Sequence, residues 1–87
     1  MATKCVCVWY DEVGTPDDPR WIVSQDEIDG GETLNTTTIE ILPAGSDQPR
    51  ALAAGRSVAA SRGLPLYRYE PDDGYGRGNR HVLVMAD

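Results

Sequence analysis

Few side chains in this 87-residue sequence could do chemistry, and they are scattered. Cys5 and Cys7 are the only two cysteines and His81 is the only histidine. On a strand, Cys5-x-Cys7 puts both sulfurs on one face, roughly 7 Å apart along the chain. That separation suits neither an easy disulfide nor a complete zinc site, which wants four ligands. If the first and last strands were neighbours, Cys5, Cys7, His81 and a carboxylate could meet, so a small metal protein or enzyme built on them is an alternative reading. Reduced thiols packing as small apolar groups is the plainer one. A nucleophile would need a cysteine or serine beside His81, and no local pattern marks such a pair. Asp26, Glu27, Asp29 and Glu32 are acidic like a calcium loop, but they lack its alternating ligands and distant bidentate glutamate. Gly74-x-Gly76-x-Gly78 is not followed by a helix and lies beside Asp72 and Asp73, which argues against a phosphate cradle. No catalytic residue, metal ligand set or cofactor is expected.

The elements that would position these groups read as β-β-β-α-β-β. Thr3 to Tyr10 is an unbroken run of strand formers. Val13 to Pro19 is turn-rich, Trp21 to Gln25 is a short second strand, and Asp26 to Glu32, with Gly30-Gly31, reads as an acidic loop. Thr36 to Leu42 is a third strand, alternating Thr37, Ile39 and Ile41 against Thr36, Thr38 and Glu40. Ser46 or Asp47 can cap a helix that tolerates Pro49 in its first turn, runs to about Arg62, and stops at Gly63 before Pro65. Ala51, Leu52, Gly55, Val58 and Ala59 share one arc of that helix, with Arg50, Ser57 and Ser61 roughly opposite. Leu66 to Glu70 and His81 to Met85 are the last strands. The segment DDGYGRGN at 72–79 reads as a mobile loop or an open hairpin end. The fold class expected is α+β: a mostly antiparallel sheet of four or five strands, with one helix packed on one face. Residues 1–87 are expected to make a single domain. In topology alone, the order of three strands, then a helix, then a strand is similar to that of HicB-type antitoxins and many small phage proteins.

Charge is the second signal. The net charge is −6. Positions 1–46 hold nine acids against Lys4 and Arg20, whereas positions 47–87 hold five acids against six arginines. An acidic face repels a phosphate backbone, so no direct nucleic-acid binding is expected, and a basic protein surface is the more natural partner. No run of about 20 apolar residues exists to span a membrane, and the opening residues do not read as a signal peptide; a cytoplasmic location is expected.

Geometry is the third. A helix of about 15 residues is roughly 22 Å long and 10 Å wide, enough to cover one face of such a sheet. Yet the first strand is apolar on both sides, with Val6, Val8 and Tyr10 against Cys5, Cys7 and Trp9. The last strand repeats the pattern, with Val82 and Val84 opposite Leu83 and Met85. Self-association as a homodimer, folded-back loops, or a foreign protein are the three ways to cover the second face. The expectation is therefore a non-enzymatic, acidic protein-interaction domain. The role expected is that of an anti-defence inhibitor from a phage or other mobile element, acting on a basic, nucleic-acid-handling target; a self-associating structural module is the alternative. The candidate partner-binding residues are the aromatics Trp9, Tyr10, Trp21, Tyr67 and Tyr69 and the acids Asp11, Glu12, Asp17, Asp18, Asp26, Glu27 and Asp29.

Overall fold

The computed structural model describes residues 2–11, 17, 19–30, 32–70 and 80–84, with backbone alone for 69, 70 and 80–83. Five strands and one helix follow in the order β1 (Thr3–Asp11), β2 (Arg20–Asp29), β3 (Glu32–Ile41), α1 (Gln48–Arg62), β4 (Leu66–Glu70) and β5 (Arg80–Val84). The strands form one sheet in the order β3-β2-β1-β4-β5. This is the α+β class read from the sequence, although the sheet is mixed: β1 and β4 are parallel and the other pairings are antiparallel. The parallel pair has a simple cause. The chain runs up β1, down β2, up β3 and down α1, so β4 must run up beside β1, and only a crossover element such as this helix allows that.

The helix begins and ends as its sequence dictates. Asp47 is extended and its Oδ1 accepts from the Arg50 amide at 3.1 Å, with proline in the first turn. Gly63 closes it in the left-handed region at φ 66°, a conformation glycine adopts without a Cβ penalty. The amide of Leu64 then bonds back to the Ala59 carbonyl at 3.0 Å. Ala51, Gly55 and Ala59 are buried against the sheet, with Leu52, Ala54 and Val58 partly buried beside them. Gly55 is where the axis comes closest: a Cβ there would lie 2.5 Å from Val8 Cγ2 and 2.9 Å from Leu66 Cδ1. Val6, Val8, Val23, Leu42 and Leu66 complete this main core.

Two sequence expectations are corrected by the strands. The acidic segment from Asp26 is no loop: β2 continues to Asp29, and Asp29 pairs directly with Glu32, so two residues close the hairpin. Gly30, at φ 61°, supplies the left-handed conformation such a turn needs. What carries the acids through the strand is register, since Lys4 stands opposite Glu27 and Thr3 opposite Ile28 on β1. The simple alternation expected for the third strand is also broken. Val23 pairs with Glu40 but Ser24 with Thr38, and Glu27 with Asn35 but Ile28 with Thr33. Ile39 and Leu34 are thus the extra residues of two β-bulges. Thr37 and Ile41 consequently fall on opposite faces, with Thr37 opposite Gln25 and Ile41 opposite Ile22.

Candidate functional site

The second sheet face was the sequence's main argument for a partner, and the chain buries the centre of that face itself. Cys5, Cys7 and Ser24 are fully buried and Asp26 is 1% exposed, with Ile22 and Ile28 buried beside them. Being apolar on both sides is what a central strand requires, and β1 lies between β2 and β4. Trp9 and Tyr67 pack on the cluster of Cys5, Cys7 and Ile28. The Trp9 indole reaches diagonally across to β2, where Nε1 donates to Ser24 Oγ at 3.1 Å. Ser24 Oγ in turn donates to Asp26 Oδ1 at 2.8 Å, so the buried carboxylate is held by a side-chain relay. No buried side-chain polar atom among the described residues lacks a hydrogen-bond partner.

The two thiols sit on the floor of this cluster, 3.7 Å apart, and Cys5 Sγ also faces the Asp26 carbonyl at 3.7 Å. Both are free cysteines. Burial pushes the Cys7 thiol far up, and the charge of Asp26 pushes it further. Burial also raises Cys5, partly offset by its hydrogen bond with Cys7. Such thiols stay protonated near neutral pH and are poor nucleophiles. The meeting of cysteines and His81 considered from the sequence required adjacent first and last strands, whereas β4 lies between β1 and β5. His81 pairs with Tyr69, so its backbone is two strands from β1, roughly 9–10 Å at ordinary strand spacing. Among the described residues no group of three or more His, Cys, Asp or Glu side chains could hold a metal ion.

The remaining candidates divide between core and surface. Asp26 is withdrawn from the surface by the relay, and Trp9 and Tyr67 are half-buried parts of the second core. Tyr10 is 43% exposed and leans on the half-buried Trp21, ring centroids 5.1 Å apart and tilted by 47°. Asp11 is partly buried opposite Arg20, while Asp17 is exposed. Glu27 is half-buried and Asp29 exposed, near the tip of the hairpin. Glu12, Asp18, the 72–79 segment, Met85 and the side chains of Tyr69, His81, Val82 and Leu83 lie outside the described residues.

The sequence places a third strand at Thr36 to Leu42, but neither its start at Glu32 nor its position at the sheet's edge. β3 is an edge of the sheet, and of its ten residues Thr33 and Ile39 are half-buried and the other eight exposed. Leu34 and Ile41 are exposed apolar side chains, at 56% and 57%. Charge is unevenly divided between the elements. The β2–β3 hairpin carries Asp29, Glu32 and Glu40 exposed and Glu27 half-buried opposite Lys4, while the helix carries Arg50, Arg56 and Arg62 and no acid. The run of threonines is the available signal: a strand with little apolar side chain to bury on either side suits an edge.

No helix among the described residues is long and apolar enough to cross a membrane. The chain matches no family model, no curated protein and no solved structure.

Proposed function

We propose that this chain is a non-enzymatic interaction domain whose acidic β2–β3 hairpin docks on a basic surface of another protein. The observation that carries the reading is the uneven share of charge between elements: Asp29, Glu32 and Glu40 are exposed at the hairpin's tip and along β3, with Glu27 half-buried beside them, and the helix has no acid. Complementary potential of this kind speeds encounter and fixes the choice of partner. The thiols, which are the most chemically capable groups described, are committed to packing, which further supports a binding role. Basic surfaces of this sort are common on proteins that handle nucleic acid, where they hold phosphates. A chain seated there would exclude the nucleic acid, which is the action of a small inhibitor of the anti-defence type.

The test is capture from a host lysate with the native chain and with a variant carrying Glu27→Gln, Asp29→Asn, Glu32→Gln and Glu40→Gln. The native chain should retain a nucleic-acid-binding protein that the variant does not, and a single-stranded oligonucleotide should displace it. Identical retention by both chains, or retention indifferent to oligonucleotide, would sink the reading.

A further inference from the structure

We infer that β3 receives an added strand, and that the occupant is an extended segment of another protein with a lysine or arginine at each end. The inference rests on the functional reading above and specifies how the basic partner is held. In an antiparallel ladder alternate residues turn their N–H and C=O toward the same neighbour, so about half of an edge strand faces outward with main-chain groups to offer. Among the described residues no strand pairs with the outer side of β3. Natural sheets commonly guard such edges with lysine, proline or shortness. β3 is ten residues long and has neither lysine nor proline.

Its guard is of another kind. The bulges at Leu34 and Ile39 confine regular pairing with β2 to Asn35, Thr36, Thr37 and Thr38, which stand opposite Glu27, Asp26, Gln25 and Ser24. Acids mark both ends of the strand, Glu32 before the first bulge and Glu40 after the second. An indiscriminate strand would therefore find a short regular ladder with a negative charge at either side.

That charge pattern decides the occupant. A second copy would bring four glutamates and no cation into one ladder. Centred on Thr36, a two-fold pairing sets Glu32 directly opposite Glu40 of the other copy, and like charges so placed are destabilising. Glu32 and Glu40 share a face, since their partners Asp29 and Val23 are an even number of residues apart, so a foreign strand with cations about six or eight residues apart meets both together while its centre pairs with the threonines. The exposed Leu34 and Ile41 give its apolar side chains something to cover.

The probe is a fluorescent seven-residue peptide with arginine at both ends, so that both arginines share a face, and alternating threonine and valine between, read by anisotropy against the whole chain. Two companions are used: one with glutamate ends, and one with arginine ends and alternate backbone nitrogens methylated. The arginine-ended peptide should bind, bind more weakly as salt is raised, and protect outward-facing amides among 35–38 from hydrogen exchange. Methylation, by deleting several ladder bonds, should weaken it at least about thirtyfold. If the methylated peptide binds equally well, strand addition fails while an acidic docking surface stands. Equal binding of the glutamate-ended peptide overturns the charge argument. A chain that sediments as a dimer through β3 overturns the choice of occupant. If no arginine-ended peptide binds even at low salt, strand addition fails, and the acidic docking surface stands or falls on the lysate capture alone.

Discussion

Replacing Gly55 with alanine tests how closely the helix sits on the sheet. In an exposed helix the change would stabilise by about 0.8–1 kcal/mol, because glycine has the most backbone freedom to lose. Here the new methyl would meet Val8 Cγ2 at 2.5 Å and Leu66 Cδ1 at 2.9 Å. Ordinary carbon contacts lie at about 3.5–4.0 Å, so the first is short by about 1 Å. Val8 is 1% exposed and β-branched, and Leu66 is 3% exposed, so neither has room to turn away. Overpacking of this kind costs about 1–3 kcal/mol, and two simultaneous overlaps place it in the upper half of that range. The net expectation is a loss of about 1–2 kcal/mol, or roughly 5–10 °C in Tm for a chain this small. Urea unfolding followed by the fluorescence of Trp9 and Trp21 reads it directly. Ala53→Gly, at an exposed helix position, calibrates propensity in the same helix. Combining Gly55→Ala with Val8→Ala should make the alanine less harmful by at least about 1 kcal/mol. A Gly55→Ala protein more stable than the native one would show that the helix stands off the sheet, and the close-packing argument would be wrong.

The other predictions concern the second core. Ser24→Ala removes the donor to Asp26 and the acceptor of the Trp9 indole, and should cost about 1–3 kcal/mol by urea unfolding; a neutral result would show that the relay is not formed. The thiols make stability pH-dependent with a definite sign. Their folded pKa values are raised from 9.0, so the folded state keeps protons that the unfolded state releases. Their contribution is complete below about pH 9 and declines as pH rises further, at up to about 1.4 kcal/mol per pH unit for each thiol. The urea midpoint should therefore fall more steeply between about pH 9 and about pH 10.5 in the native chain than in Cys7→Ala. Equal slopes would refute the assignment.

The parts of the fold legible in the sequence were those fixed by local chemistry. Asp47, Pro49 and Gly63 bracket the helix because capping is decided within a few residues, and the buried arc of Ala51, Gly55 and Ala59 follows from helical periodicity. The extension of β2 through Asp26 to Asp29 was hidden, because charged residues have low strand propensity and β1 supplies the register that overrides it. The bulges were hidden too, since one added residue leaves no mark on composition. The candidate surface suffered accordingly: the aromatics were given to an open face, whereas Trp9 and Tyr67 close a core over the thiols. The acidity was legible, but its place on an outer strand depended on the strand order.

The parallel pairing of β1 with β4 also shapes how the chain acquires its fold. Roughly sixty residues separate Val6 from its neighbour Leu66, whereas the β1–β2–β3 meander is joined by nearby segments. Closing a long loop before any contact rewards it slows folding. The meander can form early, but Val6 and Val8 find their permanent cover only when α1 and β4 arrive together. Refolding should thus show the meander's amide protection ahead of protection at Leu66 to Arg68.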